Sequence, residues 1–151
     1  MSNLFALAVL TFSLLSLPAR AATGKIVNIH YSDATCENLI PSVRGIRAKK
    51  SNIKAIVRAF FSTSTLEVSE KKKGAFRLPE QAFGKLYLGH HEEKGGTIIL
   101  QFKPGAERYL GGTACDQNVN RAPLEKMLKA IPGVSEIRFE VAGKNIDLDD
   151  A

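Results

Sequence analysis

Two cysteines and three histidines are the side chains of this 151-residue chain best suited to nucleophilic or metal chemistry. Cys115 lies in the stretch "GGTACDQNVNRAPL", a glycine-opened turn leading into an apparent helix, and backbone N–H groups at a helix start favour the thiolate. The residue is therefore a nucleophile, a metal ligand or half of a disulfide with Cys36. A catalytic thiol needs a histidine beside it as base. His30, His90 and His91 all stand well before the thiol, without the flanking pattern of a cysteine protease. In "GHHEEKGG" a strand would turn His90 and Glu92 to one face and His91 and Glu93 to the other, so each pair offers two metal ligands. A site needs at least a third, for which His30 on another strand is the candidate, and the simpler reading is a polar hairpin end. The chain holds no H-E-x-x-H, G-x-S-x-G or G-x-x-x-x-G-K-[ST] motif, and no recognisable glycosidase acid pair. No catalytic residue, metal ligand set or cofactor is expected.

The choice among the fates of Cys115 turns on compartment. "LFALAVLTFSLLSL" is an apolar run of signal-peptide length, followed by Pro18 and the small-residue pattern Ala19-Arg20-Ala21. It is shorter than the roughly 20 residues of a membrane-spanning helix. Residues 1–22 read as a signal peptide cleaved near Ala21 or Ala22, although no Lys or Arg precedes the run. No cysteine sits at the cleavage point to take a lipid. Residues 23–151 then form a single domain, periplasmic or extracellular. The full chain carries +6, and loss of the leader removes one basic residue, Arg20, and no acidic one, leaving +5. That charge favours acidic surfaces in general. The densest basic run, Lys71 to Lys73, lacks the interleaved aromatics of a nucleic-acid site, so no nucleic-acid partner is expected.

The hydrophobic periods give the scaffold. "KIVNIHYS" alternates as a strand, with Val27, Ile29 and Tyr31 on one face. A long, turn-rich connection over residues 33–50 leads to "SNIKAIVRAFFS", where Ile53, Ile56, Val57 and Phe60 recur at helical spacing behind a cap at Ser51. "KLYLGHHEE" and "TIILQFK" form a hairpin around Lys94-Gly95-Gly96. "APLEKMLKAI" is a helix with Pro123 in its first turn, stopped by Pro132-Gly133. In "SEIRFEVAGK", Ile137, Phe139 and Val141 alternate with Glu136, Arg138 and Glu140. The tail "NIDLDDA" is acidic.

This is an α/β chain of the α+β two-layer type. Its order is the split β-α-β arrangement, β-α-β-β-α-β, with two helices on one face of a mostly antiparallel sheet. In that topology the first and third strands are parallel neighbours, and the connections leaving them bring Cys36 and Cys115 to one end of the sheet. An exported chain with two cysteines most simply pairs them. Closing a loop of about 80 residues stabilises by roughly 4 kcal/mol.

The segment "APLEKMLKAIPGVSEIRFEVAGK" resembles the C-terminal signature of the GerMN domain, a module named after a spore-germination protein. The matching features are the leucine-patterned helix, then Pro132, Gly133 and Val134, then the charged and hydrophobic strand, then Gly143-Lys144. "VNIHYSD", "IPSVRGI" and "NIKAIVRAFF" resemble the family's opening strand, arginine-bearing loop and first helix. Two features depart from the family: "FFSTST" stands where Leu-x-Gly-Pro is usual, and "GAFRLP" follows the next motif only loosely. The resemblance implies an extracytoplasmic envelope module related to ring-building domains of secretion and sporulation machines, with no catalytic residues to carry over.

The resulting expectation is an exported, non-catalytic protein that binds an envelope protein or a peptidoglycan-like polymer, with oligomerisation open. Its contact surface would be the sheet face bearing Glu136, Arg138 and Glu140, or an edge strand open to backbone pairing. The alternatives are a small metal-dependent hydrolase built on the His90 and His91 region, and a secreted inhibitor or effector.

Overall fold

A computed structural model describes residues 25–48, 52–62 and 65–147. The expected leader and its cleavage point, the cap at Ser51 and the acidic tail beyond residue 147 lie outside the described residues. The elements run β1 (Lys25–Asp33), β2 (Leu39–Ala48), α1 (Ile53–Ser62), α2 (Val68–Lys72), β3 (Ala75–Arg77), α3 (Gln81–Gly84), β4 (Tyr87–Glu93) and β5 (Thr97–Phe102). They continue α4 (Glu107–Leu110), α5 (Ala114–Lys129), β6 (Glu136–Val141) and β7 (Lys144–Asn145). The fold is α+β, with one sheet ordered β2-β1-β3 and a second ordered β4-β5-β6-β7. Every pairing is antiparallel except β5 with β6.

One core joins the two sheets. Val27, Ile29 and Tyr31 of β1 meet Ile56, Val57 and Phe60 of α1 and Leu124, Met127 and Leu128 of α5. Ile98, Leu100 and Phe102 of β5 and Ile137, Phe139 and Val141 of β6 close it from the other side. Phe83 of α3 lies at its aromatic end, stacked on Phe102 and on Tyr109, each 5.1 Å away between ring centres, with Phe61 edge-on at 5.0 Å. Deleting a fully buried ring of this kind costs about 3–5 kcal/mol.

Three features differ from the sequence expectation. Residues 39–48, read as part of a turn-rich connection, are a strand. Ile40, Ser42, Arg44 and Ile46 keep a period of two, and Pro41, which lacks a donor, is tolerated because β2 is the edge of its sheet. The expected first and third strands, now β1 and β5, are not hydrogen-bonded neighbours. Both edges of β1 are taken by β2 and β3, and both edges of β5 by β4 and β6, so the parallel partner of β5 is β6. The second long helix starts nine residues before Pro123, because Thr113 and Asp116 form a reciprocal capping box around its first turn. Cys115 therefore sits inside α5. At the other long helix, Asn52 supplies the capping bond, its Oδ1 accepting from Ala55 N–H at 3.2 Å.

The hairpin tip between β4 and β5 is clamped to the turn before β6. Gly96 O accepts from Ser135 N–H at 2.9 Å, and Gly95 O accepts from the Ser135 hydroxyl at 2.8 Å. A Cβ at Gly96 would lie 2.1 Å from Gly133 O, and its φ of +86° is in the left-handed region. The contact sets the β5–β6 register, in which Thr97 faces Glu136 and Ile99 faces Arg138.

Candidate binding site

Cys36 and Cys115 form a disulfide across 79 residues, with Cα atoms 5.1 Å apart, inside the range such a bond requires. The route differs from the one expected. Helix α5 lies along β1, so its first turn meets the loop that follows β1. That loop is shaped for the task. The Asp33 carboxylate accepts from Thr35 N–H at 3.1 Å, the Thr35 hydroxyl at 2.8 Å, Glu37 N–H at 3.1 Å and Asn38 Nδ2 at 2.6 Å. These bonds, led by that from Asn38, hold the Asp33 pKa down to about 2. Cys36 sits in the loop at φ +62°, and its carbonyl accepts from Asn118 Nδ2 of α5 at 2.6 Å.

The histidine region divides between two faces. His90 is half-buried, with Nδ1 3.2 Å from the Tyr87 hydroxyl, while His91 is exposed on the opposite face. Among the described residues no group of three or more His, Cys, Asp or Glu side chains is placed to hold a metal ion. His30 is on β1, in the other sheet.

The residues expected to form a binding surface share one face of the four-stranded sheet. Register places Glu93, Thr97 and Glu136 in one row, His91, Ile99 and Arg138 in the next, and Gly89, Gln101 and Glu140 in the third. The opposite face of β5 and β6 is the one in the core. Arg138 is bonded to Glu136 at 2.9 and 3.1 Å and lies 3.6 Å from Glu93. Hydrogen bonds from Arg138, then from Thr97, lower the Glu136 pKa. Ile99, between His91 and Arg138, is buried beneath this charged layer.

A buried polar corner went unread in the sequence. Glu70 of α2, 1% exposed, accepts from Arg44 Nε at 2.8 Å, Arg44 Nη2 at 2.7 Å, Glu67 N–H at 2.7 Å and the Ser42 hydroxyl. Arg44 also donates to the Tyr31 hydroxyl at 2.7 Å and to the Thr65 carbonyl at 3.1 Å. Burial alone would raise the Glu70 pKa, but the bonds from Arg44, Ser42 and Glu67 outweigh it and hold the carboxyl ionised.

A cluster of uncommitted charge lies elsewhere, in a groove of about 730 Å³ between α1, α3 and the start of β4. Lys54, Arg58 and Lys85 line it over a floor of Phe61, Tyr87 and Leu88. Phe61 is held from below by Phe83, and a Cβ on Gly84 would come within 2.9 Å of it. The three cations are exposed and form no ion pair among the described residues. Burial raises the Tyr87 pKa to about 12 against the opposing pull of Arg58, so the phenol stays neutral. Leu88 is 60% exposed. Sequence reading missed this site because its residues are scattered over three elements; the only local signal is the stripe Lys54, Arg58, Phe61 on the polar flank of α1.

Among the described residues no helix is long and apolar enough to cross a membrane. The chain matches no family model, no curated protein and no solved structure.

Proposed function

We propose that this chain is an exported, non-catalytic envelope module, of the GerMN type that its sequence resembles, which binds an envelope protein or a peptidoglycan-like polymer through the outer face of its four-stranded sheet. The observation that carries this reading is the layout of that face. Charged side chains at Glu93, Glu136, Arg138 and Glu140 ring the buried stripe of Ile99 on a rigid sheet whose other side is the core. Such a surface offers fixed, directional charge to a partner at little ordering cost. The disulfide supports export, because such bonds persist in oxidising compartments. With both sulfurs bonded to each other, neither is available as a nucleophile.

The test places a photoreactive phenylalanine analogue at position 138, and in a separate protein at position 72, in the disulfide-bonded chain added to a native envelope fraction. Sedimentation with purified cell-wall sacculi is measured in parallel. A discrete adduct from position 138 alone, or sedimentation that Arg138→Glu abolishes, is expected. Neither adduct nor sedimentation would remove the proposal. A stoichiometric zinc signal in tag-free protein would replace it with the hydrolase reading.

A further inference from the structure

The groove beside α1 is independent of the sheet face and has its own chemistry. Lys54 and Arg58 are one helical turn apart, about 6 Å along the axis, and Phe61 continues the same stripe. Alternate residues of an extended peptide, which project to one side, repeat at about 6.7 Å. The two cations therefore match two acidic residues spaced i and i+2 on an extended chain. Lys85 adds a third positive charge from the loop before β4, and Phe61, Tyr87 and Leu88 leave apolar surface next to all three. The volume is in the range of pockets that hold whole ligands, and a single ion would leave most of it empty.

The groove also runs to the start of β4, which is the edge strand of its sheet. An edge strand keeps one row of backbone donors and acceptors unpaired, so an extended segment can add its main chain there while its side chains enter the neighbouring pocket. A lipid headgroup or a free anion would use the cations and leave this edge unused.

We propose that the groove is a docking site for an extended acidic peptide segment of a partner protein, with acidic side chains two residues apart on Lys54 and Arg58 and an apolar side chain against Phe61 and Leu88. Acidic groups contribute charge-assisted bonds, and the exposed leucine accounts for the apolar contact.

The experiment uses the disulfide-bonded chain and a fluorescein-labelled Asp-Ser-Asp-Ser-Leu peptide, whose two acids and leucine share one face when extended, read by anisotropy at low and at physiological salt. Saturable binding is expected. Arg58→Ala and Lys54→Ala should each weaken it at least tenfold, Leu88→Ser should weaken it at low and high salt alike, and the Asn-Ser-Asn-Ser-Leu peptide should bind at least tenfold less well. Lys72→Ala, which removes an equal charge from an exposed position at the end of α2, should leave the affinity unchanged. Far-UV circular dichroism confirms folding of each variant. Absence of saturable binding, equal loss in Lys72→Ala and Arg58→Ala, or affinity unaltered by Arg58→Ala would each overturn the proposal. Binding to phosphatidylglycerol vesicles in place of the peptide would also overturn it, in favour of a membrane surface. None of these outcomes bears on crosslinking from position 138, so the two proposals fail separately.

Discussion

The corner around Arg44 and the groove beside Arg58 each set an arginine near a tyrosine, and there the likeness ends. Arg44 is bonded to Tyr31, to Thr65 and twice to Glu70, which in turn accepts from Ser42 and from the backbone of Glu67. Arg58 has Tyr87 as a neighbour and no carboxylate partner among the described residues, and Lys54 and Lys85 share that condition. The first arginine completes a buried network and the second faces an open groove. Charge that the chain answers internally maintains shape, and charge left unanswered at a concave surface is available to something else.

The contrast can be broken most severely on the closed side. Replacing Cys36 and Cys115 together by serine should lower unfolding stability by about 4 kcal/mol in denaturant titration. A loss below about 1 kcal/mol would mean that the Asp33 loop and Asn118 hold α5 to β1 without the bridge. Next, Arg44→Met should cost about 3 kcal/mol, because it strands the buried Glu70 carboxylate. Combining it with Glu70→Leu should recover at least half of that loss, whereas additive losses would show that the two side chains act separately.

A smaller effect comes from His30. Burial lowers its pKa, with Lys126 adding to that direction and a backbone hydrogen bond with Asn28 opposing it. The folded-state pKa is thus below the unfolded one, so as pH falls through about 6.5 the unfolded chain takes up the proton first. Stability should therefore decline below that pH, and His30→Gln should flatten the slope in unfolding curves recorded between pH 7 and pH 5. The smallest effect sharpens the comparison from the open side. Lys54→Ala and Arg58→Ala should each change stability by less than about 0.5 kcal/mol, as surface changes away from a network do. A clear loss in thermal or denaturant unfolding would assign those cations a structural partner and undo the contrast.

How far each region could be read in advance follows the same division. Strands β5 and β6 and the buried face of α1 were legible because a hydrophobic period marks each of them, and the three-residue turn between β4 and β5 because its Gly95-Gly96 pair is a turn signal. Strand β2 was not. Pro41 and Gly45 interrupt its run, and two of its inward positions, Ser42 and Arg44, are polar because their partner Glu70 lies 26 or more residues further along. Pairing of the cysteines followed from their number. The path between them did not, because it depends on where α5 begins, and the signal for that was the Thr113-to-Asp116 spacing and not the later proline. Glu136, Arg138 and Glu140 were found from alternation alone, whereas Lys54, Arg58, Lys85 and Tyr87 converge only after α1 has packed across the aromatic end of the core.

The clamp of Gly96 against Gly133 and Ser135 limits how the chain's length can vary. One residue gained or lost between α5 and β6 would have to slide β6 by a step along β5 or tear the clamp open. A one-step slide inverts the pleat: Ile137 and Phe139 would turn toward solvent, and Glu136 and Arg138 would enter the core. Single insertions and deletions are thereby forbidden in the 130–135 turn, while a change of length in the exposed Ala142-Gly143 turn at the other end of β6 would alter the pairing of the two-residue β7 and leave the β5–β6 register in place.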